Sequence, residues 1–463
     1  NTTGSSNVFI GDSTGHANLV GSNNVFLGNA AGAANTSSNN VFLGNESGVS
    51  NSSGSNNVFL GNQAGFSNTT GYNNTILGYY AAYSNLSGFR NVIIGNEAGR
   101  NVSGGDYNVI IGDFAGYSNG SSQYNVIIGH EAGRNHTGSN NVIIGDDAGY
   151  QHTNAVNNVF IGRQAGLGPS SASPEDNVVI GRQAGQGIEG DENVYLGYYC
   201  GFATTGVRNT CVGAFAGNFM NTGQYGNTIL GHNAGASFNI GSSNVIIGAD
   251  CASNSGYNES NRLFIENSSA LVPLITGQFD SDRVGVNERY PTANLHVKQV
   301  GTGEEGFAIE NDGDSDTWSW EIGGNDLLIY FNGTHKGTWD DVTGNYTAAS
   351  DRRLKKDIEY LDHNILDKLM NLKPVTYRML DNKESDRKSI GFIAQDVQEL
   401  FPDLVYERED GFLSLHYADF AIISIKALQE QQNEITKLRK KVKEIEELKR
   451  EIEELKDFVK KDR

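Results

Sequence analysis

Cysteine is almost missing from this chain: only Cys200, Cys211 and Cys251 occur in 463 residues. Three thiols cannot build a disulfide framework, so something other than cross-links must hold the fold. Cys200 and Cys251 stand where sister repeats carry Ala, which marks them as small buried residues. Apolar residues make up only 37% of the chain, which argues against a large conventional globular core. No apolar run reaches the 18 residues that a membrane helix needs, and no signal peptide is visible. Basic residues are outnumbered 34 to 54, giving a net charge of −20 that excludes nucleic acid and anionic membrane as main partners. Because the chain opens on Asn1, an initiator region or upstream anchor is expected to precede it.

Glycine, in contrast, is abundant at 58 residues, and it is periodic. Strict periodicity argues against the disorder that such a composition otherwise brings. Fifteen copies of Asn-h-h-h-Gly, h being mostly Val, Ile, Leu or Phe, run from Asn7–Gly11 to Asn244–Gly248. Their glycines are spaced by about 17 residues, and a small residue, usually Ala, recurs three positions later. A short fixed period of this kind marks a solenoid in which each coil contacts its neighbours. At ~4.8 Å per coil, fifteen coils make a rod of roughly 70 Å. Each coil offers one three-residue apolar strand, for example Val92-Ile93-Ile94. Alternation along a strand predicts Val92 and Ile94 inside and Ile93 outside. An apolar residue on the outer face of nearly every coil needs a cover, and other copies of the chain are the simplest one. An Asn opening all fifteen strands suggests amides hydrogen-bonded from coil to coil.

Between the strands lie turns rich in Asn, Ser, Thr and Gly. Asn-x-Ser/Thr sequons at Asn35, Asn51, Asn85, Asn119 and Asn135 read first as turn chemistry, and as glycan acceptors only in a glycosylating host. Aromatics gather in the loops of some coils, notably Phe66, Tyr72, Tyr79, Tyr80, Tyr83, Tyr107, Tyr117 and Tyr124. They read as packing between chains or, alternatively, as a stacking surface for sugars. His130-Glu131 and Asp146-Asp147 follow the glycines of different coils and read as solvated turn residues rather than an acid/base pair.

The period stops at Ser253. Short strands are expected at Asn261–Glu266, Pro273–Gly277, Arg283–Asn287 and Pro291–Val297, then at Trp318–Ile322 and Leu327–Asn332. With Trp339, Trp318 and Trp320 suggest one small aromatic core. Asp312, Asp314 and Asp316 alternate as in calcium loops, but the rest of that pattern is missing. Near residue 350 the composition turns to Lys, Glu and Leu. Leu366, Leu369, Met370 and Leu372 space as a helix, and Ile390–Leu400 reads as another. From Ala421 one long helix follows, with Ile435, Leu438, Val442 and Ile445 at coiled-coil spacing and Leu448, Ile452, Leu455 and Val459 resuming it after a stammer.

Four motifs at and beyond this border carry a resemblance. They are Ser350-Asp351-Arg352-Arg353-Leu354-Lys355-Lys356-Asp357, Leu372-Lys373-Pro374-Val375-Thr376-Tyr377, the run Ile390–Gln398, and the terminal helix. In this order they resemble the C-terminal intramolecular chaperones of endosialidase-type phage tail fibres and neck appendages. That resemblance implies a nucleophile at Ser350, its base at Lys355, and cleavage of the Ala349–Ser350 bond. Serine is a poor nucleophile until a base takes its proton. An uncharged lysine can do so, and burial or nearby cations such as Arg352, Arg353 and Lys356 favour that form. Gln395, Asp396 and His416 read as surface and core polar residues rather than as partners of this dyad. Upstream, the unit Asn-Val-x-Ile-Gly resembles the head repeats of trimeric autotransporter adhesins, which implies parallel β-rolls associated in threes.

The expected architecture is therefore mainly β. Residues 1–252 form a trimeric parallel β-solenoid and 253–349 a β-rich connector. An α-helical chaperone follows over 350–425 and a coiled coil over 426–463. The expected function is a homotrimeric fibre or spike for host-surface attachment, part of a virion and extracellular, whose chaperone cuts itself away. The alternative is a cell-surface trimeric adhesin with the same chaperone. Expected partners are two further copies of the chain, a host glycan or protein receptor, and an upstream fibre or virion component. No cofactor or metal, no nucleic acid, no membrane insertion and no enzymatic activity on other molecules are expected.

Overall fold

The computed structural model describes residues 2–202, 205–218, 223–236, 240–254, 258–301, 306–310, 316–361, 364–380, 384, 387–408 and 410–461. The chain divides into two compact units, Asn1–Ala349 and Ser350–Arg463.

The first unit opens with a long parallel β-solenoid. Its fifteen three-residue strands run from β1 (Val8–Ile10) to β15 (Val245–Ile247), one per coil. Each pairs in parallel with the equivalent strand of the next coil, as Val92-Ile93-Ile94 does with Val109-Ile110-Ile111. The phase of these strands reverses the sequence expectation. Ile93 is fully buried, while Val92 and Ile94 lie half-buried on the outer side. The same holds at Phe26, Phe59 and Ile127, which sit inside with their strand neighbours outside. The reason lies in the Asn. Residues two apart share a face, so an inward Asn91 takes Ile93 and Gly95 inward with it and turns Val92 and Ile94 out.

The inward Asn is stable because its amide is satisfied by backbone. The Oδ1 of Asn91 accepts from the backbone N–H of Asn108 at 2.9 Å, and its Nδ2 donates to the carbonyl of Gly105 at 2.8 Å. The coil-to-coil bond to Oδ1 repeats without a break from Asn7 to Asn244 and ends on the N–H of Arg262. Gly95 closes the strand at φ +142°, and a Cβ there would stand 2.2 Å from the carbonyl oxygen of Gly112. Only glycine allows stacked coils to approach so closely.

Inside, the mid-strand residues form one column, with the rings of Phe9, Phe26, Phe42 and Phe59 stacked 4.7–4.9 Å apart. An Ala column runs beside it, and Cys200 and Cys251 occupy it as buried free thiols. A second polar column holds Asn18, Asn35, Asn51, Asn68, Asn85, Asn119, His136 and His152, all buried. Four of the five sequons named above thus point their Asn into the core, which withdraws Asn35, Asn51, Asn85 and Asn119 as glycan acceptors in the folded chain.

Beyond β15 the sheet continues through β16 (Arg262–Ile265), parallel to β15, then antiparallel β17 (Ile275–Gln278) and β18 (Arg283–Val286), and parallel β19 (Leu295–Val297). A separate antiparallel meander follows: β20 (Phe307–Glu310), β21 (Thr317–Gly323), β22 (Asp326–Phe331), β23 (Thr334–Trp339) and β24 (Tyr346–Ala348). Directly paired residues share a face, so its register puts Phe307, Trp318, Trp320, Ile322, Phe331 and Trp339 on one side. This side is open within the chain: Trp318 and Trp339 are each 45% exposed. The expected small aromatic core is therefore a single-layer sheet with an aromatic face. Its other face is polar, with Tyr330 donating to a largely buried Glu321 carboxylate at 2.7 Å, a bond that pushes the phenol up to about 12.

The second unit starts with a 3-10 turn, Arg352–Leu354. It continues through α1 (Ile365–Met370), β25 (Val375–Tyr377), β26 (Ser389–Gly391), α2 (Ala394–Gln398), β27 (Val405–Glu407), β28 (Leu413–Leu415) and the 43-residue α3 (Asp419–Lys461). Two small antiparallel ladders, β25 with β26 and β27 with β28, join the expected helices. The helix read over Ile390–Leu400 is shorter, because Ile390 pairs with Thr376 in the first ladder. Ile365, Val397, Phe401, Leu404, Ile423 and Ala427 form a compact core in which α1 packs on the base of α3. No described helix is long and apolar enough to cross a membrane.

Candidate functional site

The candidate site begins at the border of the two units. Ser350 opens the second unit, and Asp351, at φ −63° and ψ 136°, caps the 3-10 turn that follows. The turn closes through two backbone bonds, Leu354 N–H to the Asp351 carbonyl and Lys355 N–H to the Arg352 carbonyl, both at 3.1 Å. It folds the chain back so that the Lys355 Nζ donates to the Ser350 Oγ at 2.8 Å. The two residues singled out in the sequence are thus in hydrogen-bond contact, both on exposed surface. Ala349, the residue before them, ends the first unit, its N–H bonded to the Lys336 carbonyl at 2.9 Å.

Asp351 is the residue that sequence reasoning passed over. Its Oδ1 accepts from the Arg353 N–H at 2.8 Å, and its Oδ2 from the Arg353 Nη2 at 2.8 Å. The guanidinium beside it holds the Asp351 carboxyl below the usual carboxylate range. A short acidic residue two positions before an orphan N–H is a helix-cap signal, readable in the sequence had the turn been foreseen.

Other candidate groups stand apart from this contact. His416 is bonded through Nδ1 to Asp419 Oδ2 at 3.2 Å and lies against the Tyr406 ring. Gln395 lines an open pocket with Tyr377, Phe392 and Tyr417, and Asp396 sits in the first turn of α2. In the solenoid, coil stacking brings together residues that are distant in sequence. His130 Nδ1 and Asp146 Oδ1 are 2.9 Å apart, and Asp146 Oδ2 also accepts from Arg163 Nε at 3.2 Å. The carboxylate of Asp146 raises the imidazole of His130 and is itself lowered by it. This is an exposed ladder of polar and charged side chains stacked from coil to coil. Asp312 and Asp314 lie outside the described residues, and Asp316 is bonded to Asn332.

The loop aromatics also stack between coils rather than standing free. Phe66 lies on Tyr83 at 4.8 Å and Tyr107 on Tyr124 at 5.1 Å, while the Arg100 guanidinium sits over Tyr80, Tyr83 and Tyr117. Much of their ring-face area is therefore used along the solenoid.

Residues 350–406 match the family model described as chaperone of endosialidase. The second unit carries an endosialidase-type chaperone. Its start in that match is Ser350, the serine held by Lys355. Two curated relatives, the long tail fiber protein Gp37 of Enterobacteria phage M1 and that of Enterobacteria phage Ox2, are each 29% identical over 117 residues. The match covers 24% of this chain and 47% of each relative, so the chain spans about half the length of these proteins. No solved structure matches the chain. Beyond the matched residues, α3 leaves its apolar stripe uncovered: Leu438, Val442, Leu448 and Leu455 are all exposed.

Proposed function

We propose that this chain is a homotrimeric fibre protein for host-surface attachment, assembled by its C-terminal chaperone, which then cuts itself off at Ala349–Ser350. The observation that carries the reading is the 2.8 Å contact of Lys355 Nζ with Ser350 Oγ at the border of the two units. In the proposed reaction Lys355, uncharged, takes the Ser350 hydroxyl proton, and Oγ attacks the carbonyl carbon of Ala349. The C–N bond breaks, the proton passes to the departing amine of Ser350, and Ala349 is left as an ester on Oγ. Water hydrolyses this ester to a new carboxylate at Ala349 and a free serine hydroxyl. Nucleophile and carbonyl are adjacent in the chain, so their high effective concentration lets a two-residue apparatus suffice. Both dyad side chains are solvated in the single chain, so the desolvation that favours an uncharged lysine has to come from association of chains. This delays the cut until the trimer exists.

Trimerisation is supported by the outer face of the solenoid. The third residue of each strand is aliphatic throughout, and the first is Val except at Thr75, Thr210 and Thr228. The result is a continuous half-exposed apolar ribbon. A second copy of the chain has the same rise per coil and matches that ribbon along its whole length. Similarity to phage tail fiber proteins favours the virion over the cell surface, with an upstream fibre component holding the chain and a host glycan or protein as receptor.

The test is the mass and N-terminal sequence of the purified product. Wild type should yield a fragment beginning at Ser350, while Ser350→Ala and Lys355→Ala should stay at the full 49.9 kDa. A wild-type trimer that remains uncut, or a cut that persists in Ser350→Ala, overturns self-cleavage by this dyad.

A further inference from the structure

We propose that Asp351 is the positioning residue of this site: its carboxylate, by capping the turn Arg352–Leu354, sets the fold-back that brings Lys355 onto Ser350. This rests on the self-cleavage reading and adds to it the group that holds base and nucleophile in register.

Five residues of extended chain span roughly 17 Å. The reactive ends of Ser350 and Lys355 are nevertheless 2.8 Å apart, so the turn between them creates the site. What holds that turn is local. None of Arg352, Arg353 and Leu354 is buried, so no hydrophobic packing fixes it. Its backbone closes through only two bonds. Among the described residues, no side chain from outside 350–355 is hydrogen-bonded or ion-paired to it. A turn this short gains little from cooperativity, and its leading N–H groups have no partner within it. Asp351 Oδ1 satisfies one of them, the Arg353 N–H, at 2.8 Å.

The same carboxylate grips the Arg353 guanidinium, with Nη2 to Oδ2 at 2.8 Å and Nε to Oδ1 at 3.1 Å. The Arg353 side chain is 89% exposed, however, and ion pairs between exposed groups contribute little. Cap and ion pair therefore make different demands on residue 351. The cap needs a short side-chain oxygen, which Asn and Ser also supply. The ion pair needs the charge. If the cap is what positions Lys355, removing the oxygen should slow cleavage and removing only the charge should not.

The experiment measures single-turnover self-cleavage of the full-length chain, with trimer content read in parallel by native mass spectrometry. Asp351→Ala should assemble and cut at least tenfold more slowly, about 1.4 kcal/mol on the barrier. Asp351→Asn and Asp351→Ser should cut within about threefold of wild type. Rescue by Asn and Ser separates positioning from a general loss of stability or charge. Asp351→Ala trimers that cut at the wild-type rate overturn the proposal, as do Asp351→Asn trimers as slow as Asp351→Ala. If Asp351→Ala fails to assemble, Asp351→Ser decides: assembled and rapidly cut supports the cap, assembled and slow overturns it. An uncut wild-type trimer strikes the self-cleavage reading itself, a result distinct from any of these.

Discussion

In the solenoid, a mid-strand column from Phe26 to Phe264 is no more than 2% exposed, coil after coil. In the second unit, every residue of α3 from Gln431 to Lys460 is exposed, apolar ones included. The contrast lies in where each region finds its partners. Each coil inserts one mid-strand side chain into a space completed by the coils before and after it, so the chain satisfies its own interior as it winds. A long amphipathic helix cannot do this, because its stripe at Ile435, Leu438, Val442 and Ile445 faces outward along a single cylinder. The solenoid completes itself within one chain, whereas α3 does not; on the proposed reading its open stripe is what further copies of the chain cover.

The widest break in this contrast comes from denying the chaperone its partners. Leu438→Asp with Val442→Asp puts charge at two coiled-coil positions and should abolish trimer formation and, with it, the cut at Ser350. Sedimentation showing an intact trimer that still cuts would mean α3 is not the registering element.

Acid should attack the self-sufficient interior next. His136 is fully buried with neither ring nitrogen hydrogen-bonded, and burial, with His152 nearby, lowers it to about 3. Burial likewise lowers His152 to about 4. Above pH 6.5 both imidazoles are neutral folded or unfolded, and no penalty exists. As pH falls below 6.5 the unfolded chain takes up protons that the folded coil refuses, so stability is lost progressively, levelling off below about pH 3. At pH 4 the two together cost on the order of 5 kcal/mol per chain. His136→Asn with His152→Asn restores the residue usual in this column and should flatten the fall in Tm between pH 6.5 and 4. An unchanged slope would assign the acid sensitivity to carboxylates instead.

The smallest effect separates the two faces of one strand. Ile127→Ala opens a cavity in the column and should cost about 2–5 kcal/mol. Ile128→Ala, half-buried on the outer face, should cost less within the chain and appear mainly as weaker association. Equal losses of Tm with unchanged association would remove the case for the outer ribbon as a seam.

Much of this was legible beforehand, and the reasons differ between regions. The 17-residue period, the Asn ladder and the Ala column with its cysteines could be read because a solenoid repeats one local solution in register. The phase of the strand could not be read from its apolar residues alone. Val92-Ile93-Ile94 offers three equivalent side chains, and the inward partner that decides the face is polar Asn91. The aromatic core expected from three tryptophans failed for a related reason: a single-layer meander buries Ser319 and Glu321 and leaves Trp318 open. Ile390 read as helix because its run is apolar at helical spacing, yet its pairing with Thr376 prevailed.

Sequence by itself determined the features that repeat or lie close along the chain: the coil length, the residues stacked from coil to coil, the change of composition near residue 350, and the five-residue spacing of Ser350 and Lys355. Tertiary structure decided which face each repeated residue takes, that His130 meets Asp146 and Asn35 points inward, and that a capped turn brings Lys355 Nζ to Ser350 Oγ. The division has a physical cause. Periodicity and composition are properties of the chain, whereas burial and contact depend on which polar groups the backbone of the next coil or turn can satisfy.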